Sequence, residues 1–224
     1  MTKEERIADY IRSLERGHGE LCDRIAREAR ENHVPIIRSE TAAFLKTMVA
    51  IVRPRRILEV GTAVGYSALL MAQVMPKEGK ITTIENYAPR IVRAREHFCQ
   101  ASMEERIVLM EGDAGMVLRE LSERYDFIFM DAAKGQYLPW LPLLLERMEE
   151  GAVLFSDNVF QEGDILESRF AVRRRDRTIH GRMREYLYEL KHHEALDTSI
   201  IPVGDGVALS VKHTKESADN HEGS

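Results

Sequence analysis

The chain has 224 residues, of which 44% are hydrophobic and 31% charged, and its formal net charge is −5. This length favours one domain with a full-sized core, and no apolar run approaches the roughly 20 residues of a membrane-spanning helix, so no membrane partner is expected. The charged N-terminal stretch lacks the apolar segment of a signal peptide, and Cys22 and Cys99 are too few for a disulfide framework, so we expect a cytoplasmic protein.

The predicted elements begin with helices and continue as alternating strands and helices. Two amphipathic helices are predicted at 3–16 and 19–32, within an N-terminal segment of residues 1–34. A third follows at about 40–52, with Ser39 as its expected N-cap. Apolar runs predict strands at 57–60, 80–85, 107–112, 125–131 and 152–158, and the intervening helices are predicted at 66–75, around Pro89, at 114–123 and at about 137–149. Continuous apolar strands that alternate with helices indicate a parallel sheet covered on both faces.

The C-terminal part departs from this alternation. A helix is predicted at about 175–192, and two β-like runs, SIIPVG and GVALSVK, then meet at Gly204-Asp205-Gly206, which indicates a hairpin. The sequence therefore predicts an α/β fold: a doubly wound, mostly parallel, seven-stranded Rossmann-like sheet with an antiparallel C-terminal hairpin and extra N-terminal helices. We expect one domain over residues 1–212 and a disordered tail over 213–224.

Polar residues at the first two strand ends predict a nucleoside site, because ligands of such sheets bind beyond the carboxyl ends of the strands. The first strand ends in Glu59 and the small-residue turn 61–65, whose free N–H groups can face a ligand. Glu85, at the end of the second strand, can accept both ribose hydroxyls. The turn lacks the G-x-G-x-x-G that approaches a pyrophosphate, and Glu59 suits a cationic amino-acid group. S-adenosylmethionine therefore fits better than a nicotinamide dinucleotide, with Asp113 and Ala114 beside the adenine.

Oxygen ligands follow the fourth and fifth predicted strands. Asp131 ends one strand in DAAKGQY, and Asp157 with Asn158 ends the next in SDNV. Neighbouring strands lie about 5 Å apart, so these side chains can converge. Two carboxylates and an amide oxygen, without a nearby Cys or His, are typical of a Mg²⁺ or Ca²⁺ site. Lys134, three residues after Asp131, is close enough in sequence to address a hydroxyl bound there.

The conjunction of ILEVGTAVGYS, the Glu85 strand end, DAAKGQY and the DN pair resembles the metal-dependent class I O-methyltransferases of catechol and caffeoyl-CoA type, over roughly residues 35–212. The resemblance implies a Mg²⁺ site at Asp131, Asp157 and Asn158, with Lys134 and Asp131 as catalytic residues. It also implies cofactor contacts by Ile37 (through its backbone), Glu59, Gly61, Ser67, Glu85, Asp113, Ala114 and Asp131. Ala63 stands where relatives often carry an aromatic residue, so the methionine pocket is expected to be wider.

This site needs an acceptor with two adjacent oxygens, which a catechol or a 5-hydroxyuracil ring supplies. The metal would lower the pKa of the acceptor hydroxyl, Lys134 would remove its proton, and the oxyanion would attack the sulfonium methyl. We expect Tyr137 and Trp140 to wall the acceptor pocket.

A basic stretch distinguishes the two acceptors. Residues 173–193 carry seven Arg or Lys, three acids and three His, a pattern that attracts phosphates and can stack on unpaired bases. The run from Phe160 to Leu187 also resembles the bacterial tRNA 5-hydroxyuridine methyltransferases, which implies formation of 5-methoxyuridine at the wobble position of the tRNA anticodon loop. The expected contacts are Phe160, Arg173, Arg174, Arg175, Arg177 and His180.

Other interpretations remain open. With a small catechol-like phenol as acceptor, the basic stretch would be a solvated surface or an interface. A nicotinamide dehydrogenase would lack its pyrophosphate turn, and a non-catalytic binding module would leave the metal set and Lys134 unexplained. We expect a homodimer, in which the N-terminal helices either cover the acceptor pocket or form the dimer contact.

Overall fold

A computed structural model describes residues 3–168 and 170–213. The helices are α1 (Lys3–Leu14), α2 (Glu20–Glu31), α3 (Ser39–Val52), α4 (Tyr66–Val74), α5 (Ala88–Gln100), α6 (Ala114–Glu120), α7 (Tyr137–Arg147) and α8 (Arg177–His192). The strands are β1 (Arg56–Val60), β2 (Lys80–Glu85), β3 (Ile107–Glu111), β4 (Tyr125–Met130), β5 (Met148–Ser156), β6 (Leu196–Ile201) and β7 (Val207–Lys212). Short 3₁₀ segments cover Lys134–Gln136 and Gln161–Leu166.

The seven strands form one sheet in the order β3-β2-β1-β4-β5-β7-β6. The first five pair in parallel, and β7 runs antiparallel to both β5 and β6. This confirms the predicted doubly wound α/β sheet with its antiparallel C-terminal hairpin. The strand order reverses between β1 and β4, which places a ligand crevice beyond their carboxyl ends.

The sheet is covered on both faces because its side chains alternate between them. Ile57, Phe127 and Phe155 pack with α2, α3, α4 and α5 on one face. Leu58 and Ile128, each one residue further along, pack with α6, α7 and α8 on the other. This two-sided burial explains why the parallel strands are continuous apolar runs in the sequence.

Several predicted boundaries differ from the structure. Arg38 is the N-cap of α3, and Ser39 is instead the first residue of the helix, where its hydroxyl group donates to Glu40. Strand β5 starts four residues before the predicted strand, because Gly151, with φ of 76°, lets the chain bulge and stay paired with β4. Strand β6 likewise begins at Leu196, ahead of the predicted run at Ser199.

Of the predicted disordered tail, residues 213–224, only His213 lies within the described residues. The backbone N–H of His213 donates to the carbonyl oxygen of Ala195, which ties this residue to the start of β6. Residues 214–224, where most of the tail was predicted, lie outside the described residues. No helix among the described residues is long and apolar enough to cross a bilayer. The homodimer and the cytoplasmic location stay predictions.

The aromatic cluster around Phe155 gives a test of the core. Its ring is fully buried and lies 5.5 Å from Phe44, 6.3 Å from Phe127 and 5.6 Å from Phe129, between ring centroids. We expect Phe155→Ala to lower the free energy of unfolding by about 3–5 kcal/mol in urea titrations, because it leaves a cavity. The control is Phe170→Ala, at a residue that is 83% exposed, for which a change of about 0.5 kcal/mol or less is expected. Equal losses in both variants would contradict this placement of the core.

Candidate active site

The turn after β1 is enclosed by the two neighbouring strands. The backbone N–H groups of Gly61 and Thr62 both donate to the carbonyl oxygen of Ile84 on β2, at 3.1 Å each. On the other side, a Cβ atom at Gly61 would collide with the backbone carbonyl of Asp131. Gly61 also has a φ of 105°, which side chains disfavour. Glycine is therefore required where the cofactor turn meets the end of β4.

Glu59 lies beneath this turn rather than in the open crevice. Its carboxyl group is fully buried and accepts hydrogen bonds of 2.5 Å from the hydroxyl groups of Ser67 and Thr83. Burial is the main cause that raises the pKa of Glu59, to about 8; the hydroxyl groups of Ser67 and Thr83 lower it in part, and the negative charges of Asp131 and Glu85 add smaller increases. Glu59 is thus a neutral acid near pH 7 in the ligand-free protein.

Glu85 is held as a rigid acceptor by backbone groups. Its Oε2 accepts from the N–H of Ala63 at 2.9 Å, and its Oε1 accepts from the N–H groups of Asn86 and Tyr87 at 3.0 Å each. Three of its roughly four lone-pair positions are thereby used, and about one is left for a hydroxyl donor. Asp113 is similarly fixed as the N-cap of α6, because its Oδ1 accepts from the N–H of Met116 at 3.1 Å.

A cavity of about 560 Å³ lies beyond these strand ends. Seven of the predicted cofactor residues line it: Ile37, Gly61, Ser67, Glu85, Asp113, Ala114 and Asp131. Glu59 is not among the lining residues, whereas Ser67, which donates to Glu59, does line the cavity. Arg90 and Gln136 also line the cavity and were missed, because no motif marks them and their positions depend on how α5 and the 3₁₀ segment at 134–136 pack.

Lys134 connects the ends of β4 and β5. Its Nζ donates to Asp131 Oδ1 at 3.0 Å, to the Tyr137 hydroxyl at 2.7 Å and to the carbonyl oxygen of Asp157 at 3.2 Å. Three acceptors satisfy all three N–H groups of an ammonium. Lys134 therefore has to release a proton before it can act as a general base.

Tyr137 does not wall the acceptor pocket as expected. Its ring is fully buried against Tyr186, at 5.4 Å between centroids, and the residue does not line the cavity. Its hydroxyl oxygen lies 3.0 Å from the carbonyl oxygen of Met130 and 3.1 Å from that of Asp157. Tyr137 lies three residues, one 3₁₀ turn, after Lys134, and its hydroxyl group accepts a hydrogen bond from the Lys134 Nζ. Trp140 does line the cavity.

The predicted metal set contains an unsatisfied carboxylate oxygen. Asp157 is fully buried; its Oδ1 accepts the N–H of Asn158 at 2.8 Å, whereas its Oδ2 has no hydrogen-bond partner in the described structure. Burial, together with the charge of Asp131, raises the pKa of Asp157 to about 7. An unpaired buried oxygen is costly unless a cation or a donor meets it. The orphan oxygen thus fits a bound cation.

The three predicted ligands are brought to adjoining strand ends. The backbone N–H of Asp131 donates to the carbonyl oxygen of Val60 on β1, and that of Asp157 donates to the carbonyl oxygen of Met130 on β4, both at 3.0 Å. Asn158 follows with a left-handed φ of 55° and lines the cavity. Within residues 3–168 and 170–213, no three His, Cys, Asp or Glu are grouped to hold a metal. The set reaches three donors only through the Asn158 amide, and its all-oxygen chemistry suits a hard divalent cation.

The basic stretch begins with exposed arginines and continues into α8. Arg173, Arg174 and Arg175 are exposed. Arg182 of α8 donates to the carbonyl oxygen of Gly135 at 3.0 Å, next to Lys134, which places the helix beside the site. Arg177, the first residue of α8, instead donates to the backbone carbonyl oxygens of Phe170 and Val172 in the preceding loop, at 3.3 Å each.

His180 is not available as a surface contact. It is 2% exposed, and its Nε2 lies 3.2 Å from the carbonyl oxygen of Glu167. The residue shares the buried face of α8 with Met183, Tyr186 and Leu190. The basic stretch predicts His180 as a tRNA contact beside the arginines, whereas its helical position directs it into the core.

Comparisons with known proteins agree with this geometry. The O-methyltransferase family model matches residues 18–213. A catechol O-methyltransferase from Niastella koreensis is 28% identical over 75% of this chain and 78% of its own length. Caffeoyl-CoA O-methyltransferase 2 from Populus trichocarpa is 27% identical over 84% of this chain and 80% of its own. The structure of the O-methyltransferase TomG from Streptomyces achromogenes, in complex with SAM, has the same fold, with a TM-score of 0.82 at 24% identity, covering 96% of this chain and 100% of TomG.

The fold and the site define the class of S-adenosylmethionine-dependent O-methyltransferases. This chain belongs to the O-methyltransferase family, because the family model covers nearly all of the sheet and its helices. The catechol and caffeoyl-CoA resemblance seen in the sequence is confirmed at the level of the family.

Gly61 provides a test of the cofactor turn. We expect Gly61→Ala to weaken binding of S-adenosylhomocysteine about tenfold or more in calorimetry, because the new Cβ would displace the turn from Asp131. The control is Gly19→Ala, which also replaces a glycine of positive φ, at 97°, but has no atom within 4 Å of the new Cβ. Gly19→Ala should leave the affinity unchanged, and an equal loss in both variants would contradict the steric explanation.

Glu59 predicts a pH dependence of stability without cofactor. Since its pKa rises from 4.5 to about 8 on folding, the acid contributes stability that is fully present below pH 4.5 and is lost as the pH rises towards 8. Glu59→Gln cannot ionise. The difference in the free energy of unfolding, wild type minus variant, should therefore fall as the pH rises through this range in urea titrations. A constant difference would show that Glu59 is already ionised in the folded protein.

Proposed function

We propose that the chain transfers the methyl group of S-adenosylmethionine to a hydroxyl oxygen that binds a divalent cation, Mg²⁺ or a similar ion, together with a neighbouring oxygen of the acceptor. The observation that carries this proposal is the position of Asp131. It lines the cofactor cavity, accepts from Lys134, and is near enough for its charge to raise the pKa of Asp157, whose Oδ2 is unsatisfied in the described structure. The methyl donor and the acceptor would therefore meet at one residue.

The residues present divide the work of such a reaction. Asp131, Asp157 and Asn158 would hold the cation, which when bound lowers the pKa of a coordinated hydroxyl group. Glu85 accepts a ribose hydroxyl at the position that its three N–H donors leave open, and Ser67 meets the methionine end. Lys134, aligned by Asp131 and Tyr137, first releases one of its own protons to solvent and then takes the acceptor proton at Nζ. Much of the acceleration comes from holding the acceptor oxygen in line with the sulfonium methyl.

A small catechol-like phenol is the acceptor that the names of the relatives support. Catechol and caffeoyl-CoA O-methyltransferases are among the proteins that resemble this chain over three quarters of its length or more. A catechol places two oxygens on adjacent ring carbons, which satisfies the chelation requirement. The exposed arginines have no assigned role on this hypothesis.

A second acceptor, the wobble 5-hydroxyuridine of a tRNA anticodon loop, is favoured by the basic stretch. Arg182 contacts the backbone beside Lys134, and the exposed Arg173, Arg174 and Arg175 precede the same helix. A phosphate backbone that approached the site would meet these charges. An unpaired base enters a pocket at low cost, and its 5-hydroxyl and O4 supply the adjacent oxygens.

One assay compares both acceptors and tests the cation. The wild-type protein is incubated with S-adenosylmethionine and either a catechol or a tRNA transcript carrying 5-hydroxyuridine, and the methylated product is measured by mass spectrometry. We expect EDTA to abolish transfer and added Mg²⁺ to restore it. Activity that survives EDTA and also the Asp157→Ala change would refute the chelation mechanism.

Charge variants separate the two acceptors. With tRNA, replacing Arg173, Arg174 and Arg175 by Gln should raise KM and flatten a steep loss of activity between about 50 and 200 mM salt, because phosphate contacts are lost. The control replaces Arg53 and Arg55, which are exposed at the opposite end of the sheet. If the triple variant has the same KM for tRNA and the same salt dependence as this control, the support for tRNA is removed. Methyl transfer to catechol and not to tRNA would establish the small-molecule acceptor.

A further inference from the structure

The segment that follows the proposed metal ligands has an unusual backbone. Asn158, Gln161 and Glu162 have φ values of 55°, 53° and 56°, and Gly163 has a φ of 93°. Side chains disfavour this left-handed region, and β5 has already ended at Ser156. Contacts from elsewhere in the fold are therefore needed to hold residues 158–163 in place.

Those contacts come from the turn between β6 and β7. The N–H of Val159 donates to the carbonyl oxygen of Gly206 at 3.0 Å, and the N–H of Phe160 donates to that of Asp205 at 2.9 Å. The N–H of Glu162 donates to both carboxylate oxygens of Asp205, at 2.8 and 3.0 Å. An Asp-Gly hairpin turn does not need this last contact, because an aspartate in a turn commonly bonds its own backbone. Here the carboxylate reaches a segment 43 residues away in sequence.

The ring of Phe160 packs closely against the same turn, at Gly206. Gly206 has a φ of 81°, and a Cβ atom there would lie 2.5 Å from that ring. Asp205 itself is only 9% exposed, so its bonds to Glu162 are shielded from water. The turn 204–206 thus fixes both the backbone after Asn158 and the aromatic side chain next to it.

We propose that Asp205 is a positioning residue for the divalent cation. Its carboxylate, bonded to Glu162, and the backbone of its turn, bonded to Val159 and Phe160, hold the segment after Asn158 and so keep the Asn158 amide at the strand ends that carry Asp131 and Asp157. The inference rests on the proposed function, because the cation is part of it. Partners that orient metal ligands through hydrogen bonds typically change metal affinity by about 10- to 100-fold when removed.

The test measures cation binding directly, with Mn²⁺ as the probe. Electron paramagnetic resonance of free Mn²⁺ gives the affinity of the full chain, and calorimetry gives its affinity for S-adenosylhomocysteine. We expect Asp205→Ala to weaken Mn²⁺ binding about 10-fold or more and to leave S-adenosylhomocysteine binding unchanged. Asp205→Asn, which keeps a weaker neutral acceptor for Glu162, should weaken Mn²⁺ binding less. The control is Asp164→Ala, which removes an exposed carboxylate from the same segment.

The outcomes separate the positioning role from the proposed function. A wild-type chain that does not bind Mn²⁺ would overturn the cation site, and the role of Asp205 with it. Wild-type Mn²⁺ affinity in a folded Asp205→Ala variant, or a loss equal to that of Asp164→Ala, would overturn only the positioning role. A residue needed for stability alone would lower the free energy of unfolding and leave the Mn²⁺ affinity of the folded chain unchanged. If Asp205→Ala does not fold, wild-type affinity in Asp205→Asn overturns the proposal.

Discussion

The close approach of the β1 turn to the end of β4 is the constraint on which the site depends. Gly61 leaves no room for a side chain beside the Asp131 carbonyl, and the N–H of Asp131 returns a hydrogen bond to Val60. This approach occurs where the strand order reverses, so no crossover helix covers the crevice. The cofactor turn and the first proposed metal ligand are therefore neighbours because of the sheet topology.

Four carboxyl groups lie near the contact between the β1 turn and the end of β4, and each has a different set of hydrogen-bond partners. Glu59 is buried with two hydroxyl donors, Glu85 is held by three backbone N–H groups, and Asp131 pairs with Lys134. Asp157 alone keeps a buried oxygen without a partner. Most buried polar atoms in proteins are satisfied, so such an exception commonly marks function. The local cost in stability is consistent with a site built to receive positive charge.

Sequence patterns predict the backbone elements of this chain better than they predict where individual side chains are placed. The alternation of strands and helices, the hairpin at 204–206 and the residues at the strand ends follow from apolar runs and turn residues, since these patterns are local, whereas the order of the strands in the sheet is read from the structure. The boundaries of β5 and α3 do not, because the bulge at Gly151 and the N-cap at Arg38 depend on neighbouring elements. The sequence predicts Tyr137 at the acceptor pocket and His180 as a tRNA contact, whereas packing against Tyr186 and the buried face of α8 places both in the core.

The sequence alone determined the α/β class and the small-residue turn after β1, and it predicted a set of oxygen ligands, because each of these is encoded in short runs whose residue types restrict the backbone or the chemistry. Only the tertiary structure decided how these residues work together. Ser67 rather than Glu59 meets the cavity, Lys134 is shared among three acceptors, and Asp205 holds a segment 43 residues away. Such relations join distant parts of the chain, and they arise only when the sheet brings its strand ends together.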